Sequence, residues 1–147
     1  MTETTAQVSR TVPAPADQVW DALTDPVKVG GLFMGSKVET DFRVGSPITF
    51  KGEFKGRRYE DKGRILSVEN GRRLSFSHYS GLSGAPDAPE NYHVVTFDLE
   101  PQDDATKVTL TQSNLTGGVR PSDVEHKADY EKTWAMVLDG LDKAVAH

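Results

Sequence analysis

Apolar positions along this 147-residue chain change their spacing twice. Over residues 7–12, Val8 and Val12 alternate with polar neighbours, the period-two pattern of a half-buried strand, and Pro13-Ala14-Pro15 stops it. Val19, Trp20 and Leu23 then fall at helical spacing and predict a short helix over residues 16–24. Asp25-Pro26 ends that helix, because the residue before proline avoids the α region. Residues 27–33 allow another helical turn, weakened by Gly30-Gly31.

The period then becomes two. Residues 38–42 predict a short strand. Ile48, Phe50, Gly52 and Phe54 share one face of the next, and Tyr59, Asp61, Gly63 and Ile65 share a face of the one after. Gly56 marks the turn between them, and Asn70-Gly71 is a strong hairpin signal. Leu74, Phe76 and His78 follow in phase; then His93, Val95, Phe97 and Leu99; then Val108, Leu110 and Gln112. Residues 81–91 form a loop rich in Gly, Ala and Pro, and residues 102–105 form a turn. The pattern is an antiparallel meander with one apolar face per strand.

From Pro121 the period returns to 3.6, with Tyr130, Trp134, Val137, Leu138, Leu141 and Val145 on one stripe. Ser122 and Glu125 fit a capping box. About 25 residues at about 1.5 Å each make this helix long enough to cross a sheet diagonally. A strand, two short helices, a six-strand meander and a long closing helix describe an α+β grip, read as a single domain over residues 1–147.

Charge narrows the partners. Lys and Arg number 17 against 22 Asp and Glu, a net charge of −5. Such a balance speaks against coating nucleic acid and against a polybasic membrane anchor. The absence of cysteine removes disulfides, thiolate nucleophiles, iron–sulfur clusters and cysteine zinc sites. Residues 1–7 lack a basic start followed by an apolar run, and no apolar window is long enough to insert into a membrane. A cytoplasmic location follows as the expectation, with the sequon Asn114-Leu115-Thr116 left unglycosylated. Six Phe, four Tyr and two Trp remain to be explained, either as packing of a core or as the wall of a cavity.

Several segments carry a family resemblance. Val12-Pro13-Ala14-Pro15 followed by Val19-Trp20-Asp21-Ala22-Leu23-Thr24-Asp25-Pro26 resembles the opening of START-like, birch-pollen-allergen-like (SRPBCC) proteins. Gly63-Arg64-Ile65, Arg73-Leu74-Ser75-Phe76-Ser77, Val95-Thr96-Phe97-Asp98-Leu99-Glu100-Pro101 and Thr106-Lys107-Val108-Thr109-Leu110-Thr111 are similar to one branch. That branch is like the C-terminal domain of the activator of heat-shock protein 90 ATPase. The resemblance implies a helix-grip fold, with a seven-stranded antiparallel sheet curved around the C-terminal helix and a cavity between them. It implies a small hydrophobic or amphipathic ligand, no cofactor, and no universal catalytic residue. The sequence departs from relatives at Gly30-Gly31-Leu32-Phe33, where they often carry Trp, and at Gln112, where they often carry His.

The residues expected to face that ligand are Phe33, Phe50, Phe54, Tyr59, Phe76, His78, His93, Phe97, Gln112 and Trp134. His78 and His93 sit on apolar faces of consecutive strands. Together they are either polar groups at a cavity rim or an acid–base or metal-binding pair, and no third ligand appears at helical spacing. Asp61 points inward and Glu60 outward, so the two form no carboxylate pair. A buried Asp61 needs a partner, with Arg57, Arg58 or Arg72 in reach, or else it orients a ligand or abstracts a proton. Residues 30–37 invert the order of a phosphate loop and lack its strand and helix, so they read as a joint with Phe33 and Met34 as an apolar lip. Gly117-Gly118 allows a mouth loop or a tight turn. Ser80, Ser83 and Ser113 lack a nucleophile elbow, so no hydrolase triad is expected.

Three functions stay open: ligand binding; a cyclase, dehydratase or lyase working without metal through His78, His93 or Asp61; and a protein-interaction module related to chaperone activators. A homodimer or a protein partner is left open. A chain this short leaves no room for the N-terminal domain that accompanies true co-chaperones.

Overall fold

The computed structural model describes residues 4–33, 35–80 and 85–145, apart from the side chain of Phe54. The lip residue Met34, the loop positions 81–84 with Ser83, and the Phe54 ring fall outside this set. The chain runs β1 (Thr4–Val12), α1 (Ala16–Leu23), α2 (Pro26–Leu32), β2 (Lys37–Glu39), β3 (Pro47–Phe54), β4 (Arg57–Glu69) and β5 (Arg73–His78). A 3-10 turn (Pro89–Asn91) precedes β6 (His93–Gln102), β7 (Ala105–Asn114) and α3 (Pro121–Val145). All neighbours are antiparallel, in a seven-stranded sheet of order β1-β7-β6-β5-β4-β3-β2. With α3 packed on the sheet and two short helices after β1, this is the expected helix-grip-like α+β fold.

The alternating faces meet in one core. Leu74, Phe76, Val95, Phe97, Leu99, Val108 and Leu110 from the sheet pack with Val19 and Leu23 of α1 and with Val137, Leu138 and Leu141 of α3. Burial of such apolar surface, at roughly 25 cal/mol per Å², holds the helix to the sheet. Polar contacts fix its position. Trp134 Nε1 donates to Gln112 Oε1 (2.8 Å), and Gln112 Nε2 donates to Thr5 Oγ1 (3.1 Å). Arg10 of β1 clamps Asp142 of α3 at 2.7 Å, and the Gln7 N–H on the sheet edge donates to Glu131 Oε2 at 3.1 Å.

Three local expectations change. Helix α2 forms despite its glycine pair because Asp25 accepts the N–H groups of Val27 (2.9 Å) and Lys28 (3.4 Å), and Pro26 occupies the first turn. Gly30 is required there, since a Cβ would stand 2.1 Å from the Ser36 carbonyl oxygen. Strand β2 stops at Glu39, short of residues 40–42, because the Phe42 N–H turns to Thr40 Oγ1 (3.2 Å) and Phe42 adopts a positive φ of 56°. The cap of α3 is not the Ser122–Glu125 box. The helix begins at Pro121, so Asp123 takes the reciprocating position and accepts the Arg120 N–H at 2.8 Å, with Asn114 Nδ2 also at 2.8 Å.

Candidate functional site

The site begins with a spacing on β4. Tyr59 and Asp61 are two apart, so both face inward, opposite Gly52 and Phe50 of β3. Gly52 has no side chain where Tyr59 lies; a Cβ there would meet the Tyr59 hydroxyl at 2.6 Å. That space lets Tyr59 reach Ser36 Oγ at 3.0 Å. The Ser36 hydroxyl itself donates to the Phe33 carbonyl, so the Tyr59 hydroxyl donates to Ser36.

Asp61 has its neighbour on β5, where the two strands approach closely at Gly63. The β4–β5 ladder pairs Ile65 with Phe76, resumes at Lys62 with Tyr79, and between them the Arg64 N–H donates to Ser77 Oγ (2.9 Å). Gly63 therefore lies beside Ser77 and His78, and a Cβ there would sit 1.7 Å from the Ser77 carbonyl oxygen. The His78 Nε2 lies 3.2 Å from Asp61 Oδ2. The expected arginine partners of Asp61 are thus replaced by His78 of the adjacent strand. Both side chains are largely enclosed, at 14% exposure for Asp61 and 19% for His78.

Together with α2, the α2–β2 junction and α3 these strands enclose a cavity of about 170 Å³. Its wall is Leu32, Phe33, Ser36, Phe50, Tyr59, Asp61, His78, Thr133, Trp134 and Val137. Phe33 links the rings: its centroid is 5.1 Å from Phe50 and 6.2 Å from Trp134. His78 stands edge-on to Phe50 at 5.4 Å. One side of the space is apolar and aromatic; the other carries the Ser36–Tyr59 and Asp61–His78 pairs.

Six of the residues singled out by sequence meet here: Phe33, Phe50, Tyr59, Asp61, His78 and Trp134. Four do not line the cavity. Phe76 lies behind Phe33 and Phe50, at 6.2 and 5.7 Å, and Phe97 is deeper in the core. Gln112 is buried and bonded to Trp134 and Thr5. His93 is the register partner of His78, but its ring packs against Tyr130 at 5.8 Å. Burial holds the His93 pKa below its ordinary value, against the pull of Asp123 and with help from His78 and Arg120. Ser36 and Thr133 were not singled out. Ser36 lies in an irregular joint and Thr133 off the apolar stripe, so neither carries a pattern that marks it. Val137 lies on the apolar stripe of α3, which does not by itself mark a cavity residue.

A larger groove, about 410 Å³, runs along the other side of β4 by Lys62 and Arg64. Its Lys62 is paired with Asp87, which also accepts the Tyr92 hydroxyl at 2.6 Å. Among the described residues no three His, Asp or Glu side chains are grouped to hold a metal ion, and no helix is long and apolar enough to cross a membrane.

Residues 13–146 match the family described as Activator of Hsp90 ATPase homolog 1-like protein. A Cytophaga hutchinsonii protein of known solution structure is 40% identical, with a TM-score of 0.77 over 96% of this chain and 92% of its own. DynU16, a protein of the dynemicin biosynthetic locus, is 25% identical, with a TM-score of 0.71 over 94% of this chain and 45% of its own. The Aha1 dimer from Colwellia psychrerythraea is 20% identical, with a TM-score of 0.70 over 95% and 94%, a likeness of fold alone. No curated protein matches. The resemblance drawn from the strand and helix segments is borne out by a match that spans nearly all of them: the chain belongs to the Activator of Hsp90 ATPase homolog 1-like family.

Proposed function

We propose that this chain binds a small apolar or amphipathic molecule between its sheet and α3. One observation carries the reading: an aromatic-walled cavity of about 170 Å³ has two hydrogen-bonding pairs on one side. An apolar space with a few convergent polar groups is the usual form of a small-molecule site. Its volume falls below the roughly 300–1,000 Å³ of drug-sized sites, so the occupant is a single ring or a short branched chain, not a sterol or a long lipid. Family membership and the neighbour from a biosynthetic locus support the reading. Native mass spectrometry of gently purified protein tests it. A bound mass present in the unmodified chain and lost in Val137→Phe, which fills the cavity, is the expected result. A bare chain that also binds nothing in a fragment screen sinks the proposal.

The Asp61–His78 contact favours a second reading, a cyclase, dehydratase or lyase acting in the same cavity. A carboxylate that holds an imidazole in one orientation readies it for general acid–base work. Turnover of a substrate found by the screen should vanish in both Asp61→Asn and His78→Ala. Turnover that survives both removes this reading. The dimeric Colwellia psychrerythraea neighbour supports self-association as a further proposal, for which sedimentation at micromolar protein is the test.

A further inference from the structure

The outer face of the sheet brings polar groups into register. Period two turns Thr49, Lys62, Arg64 and Ser77 away from the core that Ile48, Phe50, Ile65 and Phe76 enter. Pro47 and Thr49 of β3 stand opposite Arg64 and Lys62 of β4, and the Arg64 N–H donates to Ser77 Oγ of β5 at 2.9 Å. Residues 85–92 are held over this row. Lys62 pairs with Asp87, the Tyr92 hydroxyl donates to the same carboxylate at 2.6 Å, and Tyr79 stacks on Tyr92 with ring centroids 5.3 Å apart. The groove between them, at about 410 Å³, has the size of a small-molecule site.

Its polar groups are donors short of an acceptor. Ser77 is 4% exposed, and its Oγ already accepts from Arg64, so its O–H remains to donate; among the described residues it has no acceptor. Arg64 spends one N–H on the Gly45 carbonyl at 3.1 Å and has no carboxylate partner among the described residues. Asp87 is the one acid lining the groove, and Lys62 and Tyr92 occupy it. The rest of the wall is apolar: Pro47, Pro89, the Tyr92 ring and Leu115, whose side chain is 40% exposed.

We propose that this groove is a second ligand site, separate from the α3 cavity, and that it takes an amphipathic carboxylate, an aryl or short arylalkyl acid. The carboxylate accepts from Arg64 and Ser77, and the ring lies on the apolar wall. A guanidinium matches a carboxylate with two parallel bonds, which sets the ligand's charge; the wall sets its flat apolar body.

Naphthoate, naphthamide and naphthylmethylammonium share a ring system and differ in charge. Each is titrated at neutral pH into isotope-labelled protein. The Ala88 and Leu115 amide signals report on the groove, and the Trp134 indole signal reports on the α3 cavity. The groove signals should shift, with naphthoate about fivefold tighter than naphthamide and the ammonium weakest. Arg64→Gln should lower naphthoate to the affinity of the amide and leave the amide unchanged. Leu115→Glu, which sets a like charge on the wall, should weaken naphthoate by a similar factor and stands in if the Arg64 variant does not fold. Amide or ammonium binding as tightly as naphthoate overturns the proposal. So does a naphthoate preference that survives the substitution, a shift confined to Trp134, or silence of the groove signals at millimolar probe. None of these outcomes bears on ligand binding in the α3 cavity.

Discussion

His78 and His93 are cross-strand partners that serve different spaces. His78 turns to Asp61 at 3.2 Å, while His93 packs on Tyr130 of α3 with ring centroids 5.8 Å apart. The difference comes from what lies beside each. The first ring stands edge-on to Phe50 of β3, whereas the second meets Tyr130 of α3.

Burial gives His93 a pH signature. Its folded pKa lies below the ordinary 6.5, so in acid the unfolded chain binds the extra proton first. Stability is therefore full above pH 6.5 and falls as pH drops below it. Asp123 faces the ring from α3 and opposes the shift, while His78 and Arg120 reinforce it. Urea midpoints measured across that range should decline toward acid in the native chain and decline less in His93→Asn. Equal slopes in the two would remove His93 as the source.

The bond from Trp134 to Gln112 should be worth more than a surface contact. In Trp134→Phe the buried Gln112 Oε1 loses its donor, which costs about 1–3 kcal/mol of unfolding free energy. Equilibrium urea denaturation measures it. A loss within experimental error would mean that Gln112 finds another donor.

The α3 cap makes a paired prediction. Asp123 is 3% exposed and accepts from Asn114 and Arg120, so Asp123→Ala should cost about 2 kcal/mol. Ser122 is exposed, and Ser122→Ala should stay within about 0.5 kcal/mol. Thermal unfolding of the two variants side by side checks this, and equal effects would contradict the cap.

Gly63→Ala tests the close approach of β4 to β5. Its Cβ would stand 1.7 Å from a backbone oxygen, which no side-chain rotation relieves. A loss of about 1–3 kcal/mol is expected from the forced backbone shift, together with movement of His78 away from Asp61, visible in the imidazole resonances. An unperturbed variant would show that the strands separate freely.

Much of this architecture is legible in the chain because period two is unambiguous where Tyr59, Asp61 and Ile65 share a face. The same regularity puts His78 opposite His93. Depth is not legible. Phe50 and Phe97 have the same alternating pattern, yet only Phe50 borders the cavity, because where α3 lies across the sheet decides which rings are covered by other rings. The partner of Asp61 escapes the pattern as well, since it comes from the adjacent strand β5 rather than from a complementary charge nearby in sequence. Ser36 enters the site only through Gly52, whose empty position lets Tyr59 extend to it.

Glu131 has an effect beyond its single hydrogen bond. By taking the Gln7 N–H, alongside the Arg10–Asp142 clamp, α3 occupies one backbone donor on the outer edge of β1. At the opposite side β2 covers only Lys37–Glu39 of the longer β3 ladder. A strand added beside β1 would therefore have to compete with the Glu131 carboxylate for the Gln7 donor, which ties the position of α3 to the state of that sheet edge.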